Sequence, residues 1–253
     1  MPHEKVLIPT RDGVCSTHVF SPTGAGAWPA VIFYTDALGI RPAALAMAER
    51  LANAGHVVVL PDLFYRYGPY GPLVPAEVFK GDVMAVLGPL MATTGNDKAA
   101  QDTTAMLAYL DRRPDVAGKR CGAVGFCMGG GMAIVSAATH PDRFAAVASF
   151  HGGNLASDAP TSPHRFVSTL QAEVYIAAAE NDPYYPADMA ERFERALTDA
   201  GVRHRAEEYA GAAHGWMMPD FPVYDFQAAE RGWQEMLALF ERALPPAVSN
   251  APD

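Results

Sequence analysis

The segment Gly125-Phe126-Cys127-Met128-Gly129-Gly130 places a cysteine between glycines. That spacing suits a nucleophile carried on a tight turn. An apolar run, Cys121–Val124, precedes it, and a helical pattern from Met128 to His140 follows. The cysteine therefore falls at the tip of a strand-to-helix turn. Such a turn is strained, and a side chain at Gly125 or Gly129 would strike neighbouring backbone. The N-terminus of the following helix favours a thiolate at Cys127. The Met128 N–H would face an oxyanion developing on a substrate attacked by the sulfur. The plain alternative is an inert thiol in a glycine-rich turn. Cys15 and Cys121 fall within expected strands and read as core residues.

A thiol nucleophile of this kind needs a base and a group to orient the base. On strand–elbow–helix hydrolases these follow in the order nucleophile, acid, histidine. Asp182 lies where the apolar run Val174–Ala178 gives way to a loop, and Pro183 delays any helix. His214 lies in Ala212-Ala213-His214-Gly215, after an expected strand over 203–209. In that order His214 would exchange protons with Cys127, and Asp182 would hold the far ring nitrogen. Taken singly, Asp182 also reads as a turn or capping carboxylate, and His214 is one of eight histidines. The loop Thr35-Asp36-Ala37-Leu38-Gly39 after the run Val31–Tyr34 offers the Ala37 N–H as a second oxyanion donor. Asp36 beside it has two readings: capping the region where a helix starts at Pro42, or restraining or accepting the Cys127 proton.

These residues need a scaffold, and the hydrophobic pattern supplies one. Continuous apolar runs at 31–34, 56–60, 145–150 and 174–177 suit strands buried on both faces. Helical patterns alternate with them: Pro42–Asn53, stopped by Gly55; Asp97–Arg113, with Asn96 or Asp97 as cap; Pro186–Ala200; and Asp225–Leu244. Strands near Lys5–Pro9 and Val14–Phe20 flank Arg11-Asp12-Gly13, a hairpin signal. The expected fold is α/β: a mostly parallel, doubly wound sheet with helices on both faces. One domain is expected over residues 1–244. Residues 64–95, rich in Tyr, Pro and Gly, read as a loop-rich insertion over the site with a weak helix near Pro75–Leu87. Residues 245–253 read as a disordered tail.

Composition removes several function classes. The chain has 253 residues, half of them hydrophobic, and a formal charge of −9. That balance argues against nucleic-acid binding and against docking on an anionic membrane. Three cysteines make a poor disulfide framework, and no signal-peptide core follows Met1, so a cytoplasmic setting is expected. The 19 uncharged residues from Cys121 to Thr139 contain five glycines and read as strand, turn and helix rather than a membrane span. No metal-ligand spacing, phosphate loop or dinucleotide motif is present, so no metal and no cofactor is expected. Oligomeric state is not legible.

Over about residues 5–244 the sequence resembles the dienelactone hydrolase family of the α/β-hydrolase fold. The resemblance rests on the GFCMGG elbow, Pro61-Asp62-Leu63-Phe64-Tyr65-Arg66, the acid turn at Asp182, and Ala213-His214-Gly215. It implies a Cys127–His214–Asp182 triad and hydrolysis through a thioester. It also implies a glutamate in the loop after the third strand that hydrogen-bonds the resting thiol; Asp36 occupies that position, one methylene shorter. Family members acting on dienelactone hold its carboxylate with two arginines. One lies four residues after the histidine, which is Met218 here, and Lys80 is the sole basic residue from Tyr67 to Asp97. The expected substrate is therefore an ester or lactone of largely apolar character. Phe64, Tyr65, Arg66, His151, Tyr184, Trp216 and Met218 are the candidate substrate contacts, each with core packing as its alternative. A small-molecule binder or thiol redox sensor on the same fold is the competing function.

Overall fold

The computed structural model describes residues 1–249. Eight strands form one sheet in the order β1-β2-β5-β4-β6-β7-β8-β9: β1 (His3–Thr10), β2 (Gly13–Phe20), β4 (Ala30–Tyr34), β5 (Val57–Pro61), β6 (Cys121–Phe126), β7 (Phe144–Phe150), β8 (Glu173–Ala179) and β9 (His204–Tyr209). β1 and β2 form the expected hairpin, and β2 runs antiparallel to β5. From β5 to β9 every pairing is parallel. The sheet is mixed, its helices lie on both faces, and the architecture is the α/β-hydrolase fold.

The central strands β4, β5, β6 and β7 are buried along their whole length, as continuous apolar runs require. Alternate residues serve opposite faces. Ile32, Val57 and Val59 join one core with α4 (Asn96–Leu110), α5 (Met128–Thr139) and α6 (Ala187–Asp199). Val31, Phe33, Val58 and Leu60 join the other with α1 (Pro42–Asn53) and α7 (Phe226–Ala243). The charge-free stretch 121–139 thus divides into a buried strand and a buried helix. Among the described residues no helix is long and apolar enough to cross a membrane.

Local chemistry moves several boundaries. α4 begins at Asn96, with Gly95 rather than Asn96 or Asp97 at the cap position, and the Asn96 side-chain amide donates to the Thr161 carbonyl. The weak helix in the insertion becomes two, α2 (Pro75–Val78) and α3 (Val83–Met91). Asp82 separates them by accepting from the Met84 and Ala85 amides, which starts a new helix. Asp225 caps α7 in the same way through Ala228. In the tail, β10 (Val248–Ser249) pairs with β3 (Gly26–Ala27), so order extends through part of the segment expected to lack it. Residues 250–253 of that segment lie outside the described residues.

Candidate active site

The parallel strands end at one edge of the sheet, and the candidate residues gather there. Cys127 joins the end of β6 to the start of α5 with φ 53° and ψ −118°. The residues two before and two after it must be glycine. A Cβ on Gly125 would lie 1.9 Å from the Gly129 carbonyl oxygen. One on Gly129 would lie 2.4 Å from the Tyr34 carbonyl oxygen on β4. The elbow is anchored from β7: the Cys127 N–H donates to the Phe150 carbonyl at 3.0 Å and to His151 Nδ1 at 3.2 Å.

His214 reaches Cys127 from the loop after β9, with its Nε2 3.2 Å from Sγ. Its Nδ1 donates to Asp182 Oδ2 at 2.7 Å. Asp182 follows β8, is buried, and accepts at its other oxygen from the Tyr184 amide at 2.9 Å. A chain of carboxylate, imidazole and thiol results, with both ends fixed by strand termini. Burial opposes charge on His214, but hydrogen bonds to Asp182 and Cys127 outweigh it and raise its pKa from 6.5 to about 10.

A raised folded pKa carries a pH dependence. The stability that His214 contributes is full below its unfolded pKa and is lost as pH rises through about 10. Thermal melts between pH 6 and 10 should therefore show wild type losing more stability than His214→Asn. Parallel melting curves for the two proteins would contradict this assignment.

Ala37 and Met128, whose amides are the expected oxyanion donors, pack in one apolar cluster with Leu38, Val78, Leu87 and Phe221. The helices α2 and α3 contribute Val78 and Leu87 to this cluster. Tyr184 stands at the rim, its ring 4.8 Å from the His214 ring and about half exposed.

The other candidates lie elsewhere in the packing. Asp36 is not a partner of the thiol. It is fully buried and both of its oxygens accept from Arg41 at 2.8 Å, while Oδ1 also accepts from the Leu38 amide. The shorter side chain is consumed by its own loop. Tyr65 and Arg66 serve the hairpin end of the sheet: Tyr65 Oη bonds Thr10 and Asp102, and Arg66 pairs with Asp12 and Asp102. Phe64 is buried against Tyr70 and Gly39, beneath the Ala37 loop. Trp216 and Met218 are wholly buried core residues; Trp216 stacks on Tyr209 at 4.4 Å. His151 is also wholly buried, with its ring 5.3 Å from that of His214 and its Nδ1 accepting from the Cys127 amide. Burial, then the neighbouring His214, hold its pKa well below 6.5, so its Nδ1 remains a neutral acceptor for Cys127.

Two residues here escaped the sequence reading. Arg41 and Asp220 join Asp36 in an ion cluster in which Asp36 and Arg41 are buried and Asp220 reaches the surface, Arg41 donating to Asp220 at 2.7 and 3.0 Å. Arg41 precedes a helix-initiating proline five residues after Asp36, a weak local signal. Asp220 is 179 residues away in sequence and carried none.

The model of the dienelactone hydrolase family matches residues 15–244. A provisionally named carboxymethylenebutenolidase of Synechocystis sp. is 27% identical over 242 residues, covering 94% of this chain and 96% of the relative. The carboxymethylenebutenolidase of Rhodococcus opacus is 26% identical over 251 residues, covering 96% and 91%. A solved structure of a provisionally named dienelactone hydrolase from Klebsiella pneumoniae is similar with a TM-score of 0.84. It is 24% identical and covers 95% of this chain and 98% of that one, a likeness of fold.

Proposed function

Because this chain belongs to the dienelactone hydrolase family, we propose that it hydrolyses uncharged esters or lactones through a cysteine acyl-enzyme. The observation carrying this reading is the Asp182–His214–Cys127 chain, at 2.7 and 3.2 Å, with Cys127 on a strained elbow.

In the acylation half, the Sγ proton already rests on His214 Nε2, in line with its raised pKa, and the thiolate attacks the substrate carbonyl carbon. The carbonyl π bond opens to an oxyanion, which the Ala37 and Met128 N–H groups stabilise. Collapse restores the carbonyl and breaks the bond to the alkoxy oxygen, which leaves with the proton held by His214. In the second half, His214 deprotonates water, and the resulting nucleophile attacks the thioester. The thiolate departs, and His214 keeps the proton taken from water, which restores the starting pair. Asp182 keeps Nδ1–H pointed away from sulfur throughout, so Nε2 stays available.

Substrate character follows from what surrounds Cys127. Leu38, Val78, Leu87 and Phe221 pack with Ala37 and Met128, so the neighbourhood of the elbow is apolar. The arginines near the site or in its expected recognition segment are engaged: Arg41 by Asp36 and Asp220, Arg66 by Asp12 and Asp102. Met218 stands where related enzymes place a carboxylate-binding arginine, and it is buried. A free substrate carboxylate would meet no bidentate partner there.

The test is a panel of p-nitrophenyl esters and butenolides, each with and without a free carboxylate. Neutral members should have kcat/KM at least about tenfold above their carboxylated counterparts, the discrimination of ~1.4 kcal/mol that one unpaired charge readily supplies. Mass spectrometry of quenched reactions should find the acyl group on Cys127. Preference for the carboxylated lactones would overturn the substrate assignment, and acyl transfer to another residue would overturn the nucleophile.

A further inference from the structure

The Asp36–Arg41–Asp220 cluster lies outside the reacting groups, yet it joins the two loops on which the proposed chemistry depends. Asp36 immediately precedes Ala37, the oxyanion donor, and Asp220 lies six residues after His214. Arg41 is 1% exposed and immediately precedes α1, to which its carbonyl is tied by the Leu45 amide. From that base its guanidinium divides its donors. Nη1 and Nη2 take both oxygens of Asp36, each at 2.8 Å, and Nε and Nη2 take both oxygens of Asp220 at 2.7 and 3.0 Å. Nη1 also donates to the Gly39 carbonyl at 3.2 Å. Each bidentate pair fixes an angle as well as a distance.

The loops are stiff between these anchors and the reacting atoms. On one side, Asp36 Oδ1 accepts from Leu38 N, and the Asp36 carbonyl accepts from Gly39 N, so the Ala37 amide is held inside a closed turn. On the other, Met218 N donates to the Gly215 carbonyl and Phe221 N to the Met218 carbonyl, linking Asp220 back to the residue after His214. Phe221 then places its ring 5.2 Å from the Arg41 guanidinium carbon and packs in the cluster that contains Ala37 and Met128.

We propose that Arg41 is a positioning residue, setting the oxyanion donor of the Ala37 loop in register with the histidine loop. This rests on the cysteine-hydrolase reading above. Its mark is on turnover more than on substrate affinity, because the oxyanion forms after binding. A lysine in its place offers a point charge and cannot grip two carboxylates bidentately.

The experiment compares wild type with Arg41→Met, Arg41→Lys, Asp220→Asn and Cys127→Ala on p-nitrophenyl acetate. Rates are expressed per Cys127 thiol titrated by iodoacetamide in the folded protein, or per folded protein for Cys127→Ala, with melting curves alongside. Arg41→Met should lose about 10²-fold in kcat, the scale of a misplacement near 1 Å, with KM within about threefold. Arg41→Lys should fall between it and wild type, and Asp220→Asn should lose roughly tenfold, because one of the two grips is weakened. A purely structural arginine would lower the melting temperature and leave kcat per titrated thiol unchanged; that result overturns the proposal. Should Arg41→Met fail to fold, Asp220→Asn decides, since its partner retains Asp36, and wild-type kcat there overturns the proposal equally. Turnover by Cys127→Ala would instead fall on the cysteine reading. An inactive Cys127→Ala beside a fully active Arg41→Met would refute the role of Arg41 alone.

Discussion

Cys127→Ala should lose about 10⁴-fold or more in ester turnover, the scale seen when a covalent nucleophile is removed from a preorganised site. The fold should survive the change. Cys127 is partly exposed, its side chain bonds only to His214 among the described residues, and its backbone is held through its amide by Phe150 and His151. Alanine keeps all of that except the sulfur. The variant should therefore melt near wild type while losing the burst of p-nitrophenolate that acylation produces. Residual rate would come from the oxyanion donors and bound water, which polarise the carbonyl without a thioester. Cys127→Ser is the informative companion. It retains a nucleophilic atom at the elbow, but a hydroxyl is far less acidic than a thiol, so His214 must remove its proton during attack. Activity between wild type and alanine is expected for serine. Equal turnover by wild type and Cys127→Ala would be fatal to the mechanism.

What the sequence disclosed, it disclosed through local rules. Glycines at 125 and 129 are demanded by contacts within one turn and its adjoining strand, so a short motif carries them. The buried strands β4 to β7 announce themselves because both faces are covered, which leaves an uninterrupted apolar run. The order of Cys127, Asp182 and His214 follows from each standing after a strand. What stayed hidden depends on pairings between distant segments. A carboxylate beside an expected oxyanion site reads equally as a proton acceptor or a structural anion until its partner is known. For Asp36 that partner is Arg41, with Asp220 completing the cluster from far along the chain. Arg66 was ambiguous for the same reason, because Asp12 and Asp102 meet it only in the fold. Trp216 and Met218 show a different limit. Large apolar residues beside a catalytic histidine satisfy a pocket wall and a core equally well, and here both point into the core against β7, β9 and α7.

The elbow glycines carry the largest structural prediction. Gly125→Ala and Gly129→Ala each add a single methyl group, yet in each case the obstruction is backbone. At Gly125 the new carbon would meet the Gly129 carbonyl oxygen at 1.9 Å and the Gly130 nitrogen at 2.6 Å. At Gly129 it would meet the carbonyl oxygens of Tyr34 and Thr35 at 2.4 and 2.5 Å. No rotamer change relieves either contact. Relief requires α5 to lift from β4 and β6, the centre of the sheet, and that motion opens packed core on both sides of the elbow. Overpacking a tight core ordinarily costs about 1–3 kcal/mol. Displacing a central helix from backbone contacts belongs with the exceptional changes above about 4 kcal/mol. At about 2–4 °C per kcal/mol for a chain of this size, the melting temperature should fall by roughly 10 °C or more. Any folded fraction should also be slow, because lifting α5 draws Met128 N–H and Cys127 away from Ala37 and His214. Gly81→Ala supplies the control: nothing lies within 4 Å of a Cβ there, and its stability should stay within about 0.5 kcal/mol of wild type. If Gly129→Ala melted with wild type and turned over ester at the wild-type rate, close backbone approach would not be what holds the nucleophile in place.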